Sequence, residues 1–147
     1  MAGFIKNQNV VLFKMKIYIT YKFKDANLKE LKEKLEEFSE IIENSTGWEP
    51  FIFFRDVQKW KKDNRSIKEI FSDAISHIKQ CDAVLVEASE KANGIYFEVG
   101  YAKALNKKII VIHKKGTEAN LLEAMSDIKI EYDDFDDLKK KLAMIKI

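Results

Sequence analysis

The feature that most constrains this chain is a regular alternation of short apolar runs with longer amphipathic ones. Lys16-Ile17-Tyr18-Ile19-Thr20 is brief, β-branched and aromatic, which predicts a strand entered from Val10-Val11-Leu12-Phe13. Leu28, Leu31, Leu35, Phe38 and Ile42 then recur at three- and four-residue steps, predicting a helix from about Leu28 to Asn44. Ser45-Thr46-Gly47 stops it, with Gly47 as the left-handed cap. Pro50 to Phe54 reads as a second strand, followed by a polar segment from Arg55 to Arg65. Ser66-Ile67-Lys68-Glu69 is a capping box, and the helix it opens carries Ile67, Ile70, Phe71, Ala74, Ile75 and Ile78 on one face. Ala83-Val84-Leu85-Val86 is a continuous apolar strand of the kind buried on both sides in parallel sheets. A helix from Gly94 to Leu105, a strand from Lys108 to Ile112 and a short helix near Glu118 to Met125 follow. The strand Ile128 to Glu131 and an amphipathic helix marked by Phe135, Leu138 and Leu142 complete the pattern.

Strands that alternate with helices make βαβ units, a parallel sheet and right-handed crossovers. Five strands favour the order 2-1-3-4-5 in an α/β three-layer sandwich. At 147 residues the expectation is one domain over residues 1–147, with residues 1–14 as an unassigned N-terminal extension. Lys and Arg number 26 against 24 Asp and Glu, so a broad basic footprint for nucleic acid is not expected. No run approaches the ~18 apolar residues of a membrane span. Met1 to Phe13 lacks a signal peptide's long apolar core, and the single cysteine, Cys81, suits a reducing compartment, so the expected location is the cytoplasm. Two dispersed histidines and one cysteine have no metal-ligand spacing, and neither metal nor cofactor is expected.

In an open parallel sheet, ligands sit beyond the strand C-terminal ends where strand order reverses. The segments to inspect are therefore Thr20 to Asp25, Arg55 to Trp60, Glu87 to Glu98 and His113 to Thr117. The most informative stretch is Asn93-Gly94-Ile95-Tyr96-Phe97-Glu98-Val99-Gly100-Tyr101-Ala102. It follows a buried strand and opens a helix, which puts Glu98 in about the first turn, where the dipole favours a carboxylate. An ionised glutamate aimed into a cleft serves as nucleophile or general base; on a solvated helix start it only complements the dipole. Gly94 lets backbone approach a ligand and Gly100 permits close packing of helix on sheet, while the GxGxxG dinucleotide pattern is absent.

The segment from Cys81-Asp82-Ala83-Val84-Leu85-Val86-Glu87 through Gly94-Ile95-Tyr96-Phe97-Glu98-Val99-Gly100-Tyr101-Ala102-Lys103-Ala104 to Lys107-Lys108-Ile109-Ile110 resembles the nucleoside 2-deoxyribosyltransferase family, which includes deoxynucleotide N-glycosidases. Lys16 to Phe23 is similar to that family's first strand and substrate loop, and Ile128-Lys129-Ile130-Glu131-Tyr132 to its closing strand. The resemblance implies a flavodoxin-like fold and an enzyme whose glutamate, here Glu98, attacks the anomeric carbon of a deoxyribosyl group. A second base or water then takes the sugar. It also implies an acidic partner for the leaving base. Asp73, offset by about one position, is the nearest candidate, with an exposed helix acid as the alternative reading. Where the family often has Asp or Ser six residues before the glutamate, this chain has Ala92, with Ser89, Glu90 and Asn93 nearby. Asp82 reads as a structural strand-opening residue.

The remaining candidates keep two readings each. Thr20 ends the first strand at the cleft; Tyr21 and Phe23 either stack on a base or pack in the core. Lys22 and Lys24 serve a phosphate as point charges or are merely solvated. Arg55-Asp56 with Trp60 lies at the rim, as a ligand clamp or a local salt bridge. His113 ends the fourth strand as a ligand contact or a core-edge residue, and His77 is a boundary residue. The resemblance implies a site completed by a neighbouring subunit, with Asn120 as the candidate, and hence a homodimer or higher homo-oligomer. Glu123 would repel a phosphate, which tilts the expected small-molecule substrate toward nucleosides. Hydrolysis of an NAD-type nucleotide and an inactive nucleotide-binding or sensing module are the alternatives.

Overall fold

The computed structural model describes residues 14–146, so the strand start expected at Val10 to Phe13 lies outside the described residues. Five strands form one all-parallel sheet in the order β2-β1-β3-β4-β5: β1 (Lys16–Thr20), β2 (Glu49–Phe51), β3 (Ala83–Glu87), β4 (Lys108–Lys114) and β5 (Ile128–Tyr132). The helices are α1 (Leu28–Thr46), α2 (Phe53–Asp56), α3 (Ile67–Gln80), α4 (Asn93–Ala104), α5 (Asn120–Met125) and α6 (Phe135–Ala143). This is the expected flavodoxin-like sandwich. No helix among the described residues is long and apolar enough to cross a membrane.

The period-two alternation of the strands divides the core. Ile17, Ile19, Leu85, Ile110 and Ile112 face α1 and α6, packing against Leu35, Phe38, Ile42, Leu138 and Leu142. Tyr18, Val84, Val86, Ile109 and Val111 face the other layer, meeting Ala74 and Ile78 of α3, Ile95 and Val99 of α4 and Leu122 of α5. The apolar face of α3 is itself divided. Ile78 lies wholly in this core, whereas Ile67, Ile70, Phe71 and Ala74 also line a cavity.

Local signals terminate the elements as their chemistry requires. The Asn27 side chain accepts the N–H groups of Lys29 and Glu30, both at 3.1 Å, and so caps α1. At its other end Gly47 adopts φ 73°, and its N–H donates to the Glu43 carbonyl at 2.9 Å. Ser66 and Glu69 form the expected reciprocal box. Asp82 clasps β1 to β3: its carboxylate accepts the Lys16 N–H and its own N–H donates to the Lys16 carbonyl, each at 2.8 Å. Asp127 repeats the arrangement on Ile109 between β4 and β5.

The second strand is a correction. The apolar run Pro50 to Phe54 does not stay extended; β2 ends at Phe51 and Phe53 opens the short helix α2. Local bonds replace the ladder, since Asp56 accepts the Ile52 N–H on its carboxylate at 2.9 Å and returns its own N–H to the Ile52 carbonyl at 2.7 Å. The Tyr21 hydroxyl accepts the Phe54 N–H at 3.2 Å. Phe53 and Phe54 remain buried, so the hydrophobic pattern is satisfied without a strand.

Candidate active site

The switch point lies between β1 and β3, whose registers pair Thr20 with Val86. β1 runs toward it with Tyr18 and Thr20 on the same side, the face that meets α4. From α4, Glu98 reaches back between them. The Tyr18 hydroxyl donates to Glu98 Oε2, and the Thr20 hydroxyl donates to Oε1 at 3.0 Å. Both carboxylate oxygens are thus held by side chains from the neighbouring strand.

α4 begins at Asn93 behind Ala92, which supplies no side-chain cap, so Glu98 is the sixth helical residue and lies beyond the first turn. The helix dipole, which falls off within one turn, does not account for it. The reading of Glu98 as a dipole complement on a solvated helix start therefore does not describe its surroundings. Burial lifts its pKa above the usual glutamate value, and the hydrogen bonds from Tyr18 and Thr20 pull in the opposite direction. Tyr18 is pushed well above the ordinary phenol range, first by burial and then by the negative charge of Glu98. Tyr21 is raised mainly by burial. The result is a poorly hydrated carboxylate with a fixed orientation, suited to attack an electrophilic carbon.

Glu98 opens into a cavity of about 750 Å³, within the usual range for small-molecule sites. Thr20, Tyr21, Lys22, Phe23, Asn93 and Gly94 all line it with Glu98, which brings together half the residues singled out in the sequence. Phe23 stands edge-on to Phe54 at 5.2 Å. A Cβ added at Gly94 or Gly100 would meet nothing within 4 Å, so the close packing expected at Gly100 is not what the structure has. Gln58 and Lys91 also line the cavity; both fall in segments marked by their place after a strand, but neither was singled out by its residue type. Tyr18 was legible only as a strand residue; its position two residues before Thr20 was the available clue.

The other candidates lie apart from this cavity. Asp73 is on the flank of α3, bonded to Arg65 at 3.0 Å and to His77 at 3.2 Å. One position on a helix is a rotation of about 100°, and it is Ala74 that faces the cavity. Arg55 donates to Asp56, to the Ser39 hydroxyl and to the Pro50 carbonyl, the last two at 2.7 Å, so the pair has the local salt-bridge geometry. Trp60 packs edge-on against Phe54 with Lys32 over its ring. The Ser89 hydroxyl accepts the Lys114 N–H at 2.9 Å. His113 is buried between Thr117 at 3.1 Å and Glu123 at 2.8 Å. Glu123 is thereby paired with His113 and is not among the residues that line this cavity. Asn120 opens α5, exposed and outside the cavity. Among the described residues no group of three or more His, Cys, Asp or Glu side chains is placed to hold a metal.

A parallel α/β sandwich with a hydrogen-bonded carboxylate at its switch point defines a flavodoxin-like domain with a small-molecule cleft. The nucleoside 2-deoxyribosyltransferase family matches residues 20–140, and the chain belongs to that family; it is an enzyme acting on N-glycosyl bonds. Among solved structures it is similar to a CMP N-glycosidase from Clostridium botulinum, with 23% identity, a TM-score of 0.62 and coverage of 88% of this chain and 99% of that one. A 2-deoxyribosyltransferase from Bacillus psychrosaccharolyticus shares 22% identity at a TM-score of 0.60, covering 86% of this chain and 95% of that one. A conserved protein from Enterococcus faecalis shares 14% at 0.59, covering 88% and 98%. At these identities the likeness concerns the fold. No curated protein matches the chain in sequence.

Proposed function

We propose that the chain cleaves the N-glycosidic bond of a nucleoside or nucleotide with Glu98 as the nucleophile. The observation that carries this reading is the Glu98 carboxylate itself, held by Tyr18 and Thr20 at the wall of the 750 Å³ cavity. A Glu98 oxygen attacks the anomeric carbon as the C–N bond breaks, giving a glycosyl ester and free base. A second base or water then attacks the same carbon and restores the carboxylate, the two-step logic of retaining glycosidases. Tyr18 and Thr20 orient the nucleophile and oppose the rise that burial gives its pKa. Tyr21 and Phe23 offer ring faces to a base, and the exposed Lys24 and Lys91 suit a phosphate. The activities named for the Clostridium and Bacillus neighbours are of this kind.

The test is chromatographic release of free base from deoxynucleosides, ribonucleosides and their monophosphates, with and without an acceptor base. Release by the native chain that is lost in Glu98→Ala is expected, and the acceptor dependence separates transfer from hydrolysis. Equal release by both proteins would sink the assignment.

A second reading, a nucleotide-binding module without turnover, draws on Ala92 in place of an acid or serine; it predicts saturable binding and no free base. The chain further acts as a homo-oligomer in this proposal, supported by the exposure of Ile67 (74%), Phe97 (49%) and Leu121 (61%). Light scattering that returns the monomer mass at working concentration would exclude it.

A further inference from the structure

We propose that the preferred substrates are N-glycosides whose leaving ring already carries a positive charge, such as an N-glycosyl pyridinium or a ring-N-alkylated purine nucleotide. This rests on the assignment of Glu98 as nucleophile. When a neutral nucleoside is cleaved, the electron pair of the C–N bond passes to the base, and a proton delivered by a general acid makes it a good leaving group. A cationic ring needs no such proton. Glu98 forms its bond to the anomeric carbon, the C–N pair neutralises the ring nitrogen, and a neutral heterocycle departs. Water then adds to the same carbon, Glu98 leaves as carboxylate and one proton goes to solvent.

The cavity is built for the second case. Among the described residues, its only carboxyl groups besides Glu98 belong to Asp25, which is exposed at the solvent side. Ala92, the residue six before Glu98, lines the wall where an acid was expected, and Ala74 lines it while the neighbouring Asp73 is turned to Arg65 and His77. The two phenols are poor proton donors: Tyr18 and Tyr21 are both raised, chiefly by burial, and Tyr18 is already bonded to Glu98. What the wall does offer is aromatic surface from Phe23, Phe53 and Phe71, the side-chain type that attracts a flat cation, together with the Glu98 carboxyl group.

The experiment measures base release at mildly acidic pH from matched pairs. 7-Methylguanosine 5′-monophosphate is set against guanosine 5′-monophosphate, in ribo and 2′-deoxyribo forms, and nicotinamide mononucleotide against cytidine 5′-monophosphate. Each rate is divided by the uncatalysed rate, so that the intrinsic lability of cationic bases cancels. The expected acceleration is larger for the cationic member by about 100-fold or more, the contribution of a missing general acid. It is lost in Glu98→Gln. Ala92→Asp, which also places a favoured cap residue before α4, is expected to narrow that gap by about tenfold or more. Neutral members accelerated as much as cationic ones, with release still dependent on Glu98, would overturn the proposal and leave the Glu98 assignment standing. A gap unchanged in Ala92→Asp would overturn its missing-acid basis. No release from any substrate by folded protein would overturn both.

Discussion

Replacing Glu98 by Gln removes one charge from the site and leaves its shape intact. The amide oxygen can accept from Thr20 as Oε1 does now, at 3.0 Å, and the amide N–H can donate to the Tyr18 oxygen. What disappears is the cost of holding a desolvated carboxylate, the same burial that raises the Glu98 pKa. Relief of functional strain of this sort typically contributes about 0.5–2 kcal/mol. For a domain of this size each kcal/mol shifts Tm by about 2–4 °C. The sign with pH follows from linkage. A carboxyl group whose folded pKa exceeds its unfolded value destabilises the fold fully above the folded pKa, and not at all below the unfolded value near about 4.3. Glu98→Gln is therefore expected to be more stable than the native chain at pH 8, and the difference to shrink as pH falls toward about 4. Differential scanning calorimetry of the two proteins across that range reads the difference directly, since titrations common to both cancel. A variant less stable at pH 8, or a gap that does not change with pH, would refute the view of Glu98 as a desolvated charge.

Three further outcomes are expected. Tyr18→Phe and Thr20→Val each remove a bond that lowers the Glu98 pKa, so the acid limb of kcat/KM moves to higher pH. A hydrogen bond to a charged group is worth about 1.5–3 kcal/mol, so the rate at neutral pH should fall by about 10- to 100-fold. Gly47→Ala meets no steric obstacle but forces a left-handed residue at φ 73°; urea denaturation should show a loss of about 1–2 kcal/mol with unchanged kcat. Arg55→Leu leaves the Pro50 carbonyl and Ser39 hydroxyl without their donor, and a loss of about 1–3 kcal/mol of stability is expected with KM unaffected. A rise in KM without a loss of stability would return Arg55 to the role of ligand clamp.

The strands and the two helix layers were readable because burial imposes periods that a sequence displays directly: two along Ile17, Tyr18, Ile19 and Thr20, and near 3.6 along Leu31, Leu35, Phe38 and Ile42. The sheet order followed from the alternation of strands and helices as the favoured arrangement, not from those periods. The end of β2 was not readable. Ile52, Phe53 and Phe54 are as apolar as a strand, and the groups that bend them out of it are an aspartate carboxylate and a tyrosine 33 positions away. Glu98 stood out through its motif, but the partners that define its chemistry come from β1, 78 and 80 positions distant. The candidates that lie elsewhere failed for a common reason. Arg55 and His113 found their partners in Ser39, Pro50 and Glu123, and a polar side chain near a cleft turns to whichever partner the fold supplies first.

The clasp between Asp82 and Lys16 has a consequence for how this enzyme fails. Strand side chains alternate, so a slip of β1 by one residue would present Ile17 and Ile19 to Glu98 in place of Tyr18 and Thr20. Such a molecule would still bury an apolar strand in the centre of its sheet and would pass for native by its helical content, yet it would hold an unbonded carboxylate. Weakening the clasp with Asp82→Ala should thus divide a preparation into two populations of similar compactness, one fully active and one inert. Specific activity would then count correctly aligned molecules, and active-site titration would fall short of the protein concentration while the KM of the active fraction stayed native.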